Sequence, residues 1–171
     1  MTRVQGDIIV VEDSPGNLDL LCQLLDQQGH LARPAPNAEL ALRAARHTRP
    51  DLMLIDAQMA GLDGYETCRI VKDDPVLCGI PVILMGGQGE IAELVKGFEC
   101  GAVDYLVKPI RPPELYARVK THLSLRQMHR QQKELEQLVA ERSKELSSSQ
   151  VLFQQMFDQA PIAISIIALD G

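Results

Sequence analysis

Short apolar runs that stop at polar residues or glycine, with segments of helical period between them, constrain this chain more than any other feature. Asp7-Ile-Ile-Val-Val11 runs into Glu12-Asp13, and Leu52-Met-Leu-Ile55 stops at Asp56 before a glycine-containing loop. Ile80-Pro-Val-Ile-Leu-Met85 breaks at Gly86-Gly87-Gln88-Gly89, and Asp104-Tyr-Leu-Val107 ends in Lys108-Pro109. Runs this short, bounded by turn signals, fit strands buried on both faces of a parallel sheet.

The segments between them read as helices. Ser14-Pro15 is a helix start, with Ser14 as N-cap and proline at the first helical position. Leu18, Leu21, Cys22, Leu24 and Leu25 then recur at helical spacing until Gly29. His30 to Pro34 reads as an edge strand, because a proline suits only an edge. Asn37 caps a helix running to about His47, Tyr65 to Lys72 forms the next, and Glu90 to Cys100 another that Gly101 ends. Pro112-Pro113 opens the last. Strand and helix patterns thus alternate five times. That predicts an α/β fold, flavodoxin-like and doubly wound, with a five-stranded parallel sheet in the order 2-1-3-4-5 and a long C-terminal helix.

In that order the carboxyl ends of strands one, three and five bring Glu12, Asp13, Asp56 and Lys108 toward one edge. Carboxylates held together repel one another, and a hard divalent cation such as Mg²⁺ neutralises them through oxygen ligands. Lys108 adds a point charge suited to an anionic oxygen. A carboxylate beside a metal and a lysine can act as a nucleophile toward phosphorus. Singly, each residue has a plainer reading: Glu12 and Asp13 as helix-capping acids, Asp56 as a loop cap, Lys108 as a surface lysine. It is their joint placement at successive strand ends that points to chemistry.

Three stretches carry a family resemblance: Val10-Val-Glu-Asp-Ser-Pro15, Asp51-Leu-Met-Leu-Ile-Asp-Ala-Gln-Met-Ala-Gly-Leu-Asp-Gly-Tyr-Glu66 and Gly101-Ala-Val-Asp-Tyr-Leu-Val-Lys-Pro109. Over about residues 6 to 124 the chain resembles the receiver domain of two-component response regulators. The resemblance implies that Asp56 is the phosphoacceptor, served by a histidine kinase or a phosphotransfer domain. It implies Mg²⁺ on Asp13, Asp56 and the backbone carbonyl of Gln58, with Glu12 acting through water. It also places Lys108 on the phosphoryl group, a cis bond before Pro109, and Tyr105 as the switch aromatic.

Two positions depart from the family pattern. Receivers usually carry Thr or Ser at the end of strand four, and here Gly86 stands there. Backbone N–H groups of Gly86 and Gly87 are then the groups left to meet a phosphoryl oxygen. The hydroxyl that couples phosphorylation to the switch is missing, so a blunted response is expected, sharpened by Gly86→Thr if the side chain fits. Ala60 replaces a usual proline, which should loosen its loop slightly. The Gly-Gly-Gln-Gly run lacks a phosphate-loop lysine. A haloacid-dehalogenase-type enzyme would want a second acid at Gln58.

Composition narrows the classes further. A net charge of -6 argues against direct nucleic-acid binding over the whole surface. Cys22, Cys68, Cys78 and Cys100 form no CxxC pair and read as reduced thiols of a cytoplasmic protein. Met1 to Gly6 does not read as a signal peptide, and no apolar run approaches the roughly 18 residues of a membrane span.

From Pro113 no proline occurs until Pro161. Positions spaced alternately three and four apart from Leu125 to Met156 are apolar at Leu125, Met128, Leu135, Val139, Leu146, Phe153 and Met156, and interrupted at Gln132, Arg142 and Ser149. This predicts a coiled-coil seam and a parallel homodimer. The expected organisation is a receiver over 1–124, a helical linker over 125–156, and the start of a PAS-like domain over 157–171, with an output domain beyond. The leading function is a phosphoaccepting receiver module of a phosphorelay. The alternative is a switch-impaired interaction or dimerisation module acting without phosphate, as Gly86 suggests.

Overall fold

The computed structural model describes residues 5–87 and 91–159. Five strands alternate with five helices: β1 (Asp7–Val11), α1 (Pro15–Gln27), β2 (Leu31–Ala35), α2 (Ala38–His47), β3 (Leu52–Asp56), α3 (Gly64–Asp73), β4 (Val82–Gly86), α4 (Ile91–Glu99), β5 (Asp104–Val107) and α5 (Pro112–Gln159). The strands form one sheet in the order β2-β1-β3-β4-β5, and every pair is parallel. This is the expected flavodoxin-like arrangement.

Alternation along each strand builds two cores. Ile9, Val11, Met53, Ile55, Val82 and Leu84 face α2, α3 and α4, where Ala41, Ala45, Cys68 and Val71 meet them. Ile8, Val10, Leu52, Leu54, Ile83 and Met85 face α1 and α5, where Leu21, Leu25, Leu115, Val119 and Leu123 pack. Each fully buried Leu, Ile or Met contributes about 1.5–3 kcal/mol relative to exposure. β1, β3 and β4 are covered on both sides, which is why they read as continuous apolar runs. Pro34 stands opposite Val10 in β2, whose outer side has no strand partner, so the missing N–H is tolerated.

The helix starts follow local chemistry. Asn37 accepts a side-chain hydrogen bond from the Leu40 N–H, and Asp63 accepts one from Glu66. Ser14 is the N-cap of α1 by position, with proline behind it, but its side chain makes no cap bond. β4 starts two residues later than the apolar run and ends on Gly86. Pro81 contributes only its carbonyl, which accepts from the Met53 N–H.

α5 is one unbroken 48-residue helix, passing through Ser147-Ser148-Ser149 with the Ser148 hydroxyl bonded to the Lys144 carbonyl. Contacts divide the chain into two units, one ending at Met128 and one beginning at His129. The first unit therefore extends a turn beyond Ser124. The reason is Arg126, only 9% exposed, whose guanidinium donates to the carbonyls of Gly79 and Pro50 and lies 3.7 Å from Asp51. In the second unit the side chains described from His129 to Phe157 are exposed. Phe153–Gln159 is helical, and the rest of the PAS-like stretch lies outside the described residues. All four cysteines are free. No described helix is long and apolar enough to cross a membrane.

Candidate functional site

Parallel register carries the strand ends to one edge. Asp56 stands opposite Met85, and Gly86 opposite Val107, so the loops after β1, β3, β4 and β5 open side by side. Glu12 follows β1 and Asp56 ends β3, only 1% and 3% exposed, and Asp13 beside them is exposed. Each of the three offers a carboxylate oxygen, and these oxygens lie within 4.8 Å of one another. Lys108, just after β5, reaches across the gap. Its Nζ lies 2.7 Å from Asp56 Oδ2 and 3.1 Å from Glu12 Oε2. Burial pulls the Lys108 ammonium down, but its hydrogen bonds to Asp56 and Glu12 outweigh that and hold it above its usual range. The Lys108–Pro109 bond is cis.

Backbone donors aim each carboxylate. The Gln58 N–H donates to Asp56 Oδ1 at 3.1 Å and the Ser14 N–H to Glu12 Oε1 at 3.1 Å. The Ala60 N–H donates to Asp13 Oδ2 at 3.0 Å. That last bond gives Ala60 a role its sequence position did not reveal. A proline there has no N–H, so this loop is held to Asp13 where a proline loop could not be, rather than merely loosened. The loop also closes tightly over the end of β3. The Gly64 N–H bonds the Ala57 carbonyl, and a Cβ on Gly64 would lie 2.1 Å from the Asp56 carbonyl oxygen. Gly64 thus permits a close backbone approach as well as starting α3.

Gly86 closes β4 beside this cluster. A Cβ built on it would lie 1.8 Å from Tyr105 Oη, 2.8 Å from Tyr105 Cζ and 3.2 Å from Ala57 Cβ. Tyr105 therefore points inward into the space a side chain at position 86 would fill, and Gly86→Thr cannot fit while it stays there. Gly87 is half-buried and meets no such wall. Tyr65 neighbours Tyr105, and Lys96 Nζ sits 4.0 Å above the Tyr65 ring.

The structure thus brings together Glu12, Asp13, Asp56, Lys108, Gln58, Gly86 and Tyr105, all named from sequence, and adds Ala60 and Gly64. Three clustered carboxylates, two of them bonded to one lysine, form a set of hard oxygen donors with excess negative charge. That fits a small divalent cation. The Asp56 carboxylate, with a cation on one oxygen and an N–H on the other, is oriented for attack on an electrophile at the open edge.

Comparison with known proteins agrees with this geometry. The sequence profile of the family described as response regulator receiver domain matches residues 8–120. The chain is 34% identical over 123 residues to the DNA-binding response regulator MtrA of Mycolicibacterium smegmatis, covering 72% of this chain and 53% of that protein. It is 38% identical over 114 residues to the response regulator PleD of Caulobacter vibrioides, covering 67% of this chain and 25% of that protein. The chain thus spans about half the length of MtrA and a quarter of PleD. Among solved structures, the receiver domain of a signal transduction histidine kinase from Syntrophus aciditrophicus superposes with a TM-score of 0.65 at 39% identity, over 70% of this chain and 90% of that one. NtrX from Brucella abortus superposes with a TM-score of 0.71 at 29% identity, over 77% and 29%. With its strand order, its strand-end acids and lysine, and a profile match over most of its length, the chain belongs to the response regulator receiver family of two-component signalling.

Proposed function

We propose that this receiver accepts a phosphoryl group on Asp56 from a phosphohistidine of a histidine kinase or phosphotransfer domain. The observation that carries the reading is the Asp56 carboxylate itself: nearly buried at the end of β3, with Lys108 on Oδ2 and the Gln58 N–H on Oδ1. A carboxylate oxygen of Asp56 forms the new O–P bond as the N–P bond of the donor breaks, and the imidazole leaves with the electron pair. Lys108 is charged, and the flexible stem of a lysine lets its ammonium follow the developing charge onto the phosphoryl oxygens. Glu12, Asp13, Asp56 and the Gln58 carbonyl are the groups that would hold Mg²⁺, which when bound supplies further positive charge to the transferring group. The backbone bonds from Ser14 and Ala60 keep Glu12 and Asp13 oriented toward that position.

Acetyl phosphate with Mg²⁺ should add one labile phosphoryl group, read by intact mass, and Asp56→Asn should abolish it. A mass shift that survives Asp56→Asn would place the acceptor elsewhere. No phosphorylation at all would favour the alternative module that signals without phosphate. Output is proposed to pass through α5, whose seam residues Leu125, Met128, Leu135, Val139, Leu146, Phe153 and Met156 are all exposed. An apolar stripe of this length suits a parallel coiled coil with a second copy of the chain.

A further inference from the structure

β4 ends in glycine where a hydroxyl-bearing side chain is usual, yet a hydroxyl is present at that place. Tyr105 Oη lies 1.8 Å from the position a Cβ on Gly86 would take. A serine or threonine oxygen is one bond from its Cβ, so the phenol oxygen occupies the volume of such a side chain. The ring reaches it through a slot with little width to spare. Gly86 forms one wall, and on α4 a Cβ at Gly97 would lie 3.1 Å from Tyr105 Cδ2.

The ring is 4% exposed, and its hydroxyl is buried with no hydrogen bond of ordinary geometry among the described residues. Tyr65 Oη is in the same position, and the two hydroxyls are close enough to influence each other's titration. Burial pushes the Tyr105 phenol up, and Tyr65, Glu93 and Asp56 add to it, so it remains a protonated donor at any ordinary pH. A buried polar group lacking a good partner is costly, and one at the β4 end, next to the end of β3 that carries Asp56, has a partner to gain when that carboxylate is modified.

We propose that Tyr105 supplies, from β5, the hydroxyl that residue 86 lacks, its phenol O–H donating to an oxygen of the phosphoryl group on Asp56, with the ring already inward before phosphorylation. This rests on Asp56 as the phosphoacceptor. In this chain the aromatic ring has no distance to travel on phosphorylation, and what phosphorylation adds is the hydrogen bond that fixes it there. The expectation of a missing donor, read from Gly86 alone, is replaced by a donor brought from another strand.

Beryllofluoride, a tetrahedral mimic of the phosphoryl group, tests this on the full chain with Mg²⁺, with binding followed by ¹⁹F NMR and Asp56 phosphorylation by acetyl phosphate run in parallel. Tyr105→Phe keeps the ring and removes only the oxygen. It should still be phosphorylated on Asp56 but bind beryllofluoride about tenfold more weakly or worse, the size of one hydrogen bond to a charged oxygen. Gly86→Ala puts a methyl group on the phenol position, forces the ring out, and should weaken binding to a similar extent. Gly86→Ser combined with Tyr105→Leu returns a hydroxyl from strand β4 and should recover most of the affinity, which a merely structural role for the ring would not allow. Thermal melts confirm folding, and should Tyr105→Phe fail to fold, Gly86→Ala decides the question alone. If wild type binds and is phosphorylated while Tyr105→Phe and Gly86→Ala bind as tightly, the phenol is not the donor and the Asp56 reading survives. A wild type that neither binds beryllofluoride nor accepts phosphate overturns both.

Discussion

Lys108 bridges the buried oxygens of Asp56 and Glu12, so removing it leaves two neighbouring carboxylates with no cationic side chain between them. Its own side chain is 31% exposed, which moderates the cost. Lys108→Met should lower stability by about 1–2 kcal/mol in urea denaturation without metal, and Mg²⁺ should return much of the loss because it supplies the missing positive charge. The folded Lys108 holds its proton more tightly than an unfolded lysine. Its contribution is therefore fully present below the unfolded value of about 10.4 and is lost as pH rises through the folded value. The penalty of Lys108→Met should accordingly be flat between about pH 7 and 9. A steep pH dependence in that window would mean that another group sets the stability of the cluster. Asp13→Ala, which removes the exposed member and the acceptor of the Ala60 N–H, should weaken Mg²⁺ binding by calorimetry. Unchanged metal affinity would move the site elsewhere.

α5 does two jobs along its length. Up to Met128 it packs on the sheet through Leu115, Val119 and Leu123 and is pinned by Arg126. Reading residues 125 onward as linker from periodicity missed this pin, because an arginine near the start of an apolar seam looks like a solvated flank. Its partners, the carbonyls of Pro50 and Gly79, are loop groups with no local pattern. Arg126→Ala should cost about 1–3 kcal/mol in urea denaturation, since it takes the donor from the buried Pro50 carbonyl, the hydrogen bond from the Gly79 carbonyl and the nearby cation from Asp51. A change below about 0.5 kcal/mol, the size of an ordinary surface substitution, would show that α5 is held by its apolar contacts alone. Beyond Met128 the described side chains are exposed, and Gln132 and Arg142 spend themselves on Glu136 and Glu145 of the same helix.

For the whole molecule the sharpest expectation is self-association through the second half of α5. The full chain should sediment as a dimer, and a chain ending after Met128, which keeps Arg126 and its contacts, should sediment as a monomer. Equal sedimentation of the two would make residues 129–159 a linker or a surface for a different partner. The fold itself was legible at this scale. Strand and helix alternation, together with short apolar runs, led to the 2-1-3-4-5 sheet, because local period and turn chemistry are properties of neighbouring residues and the handedness of crossovers does the rest. The acids and the lysine were legible for the same reason: each ends a strand, and parallel strands end together. What the linear chain could not show were contacts between residues far apart in it. The Ala60 N–H on Asp13, the Arg126 guanidinium on two loop carbonyls, and the Tyr105 phenol in the space beside Gly86 all depend on side-chain direction and on distances of a few tenths of an ångström. Sequence alone determined which groups stand at the site's edge. Tertiary packing decided which of them touch, because only the folded sheet sets β5 against β4 closely enough for a tyrosine on one to occupy the place of a side chain absent from the other.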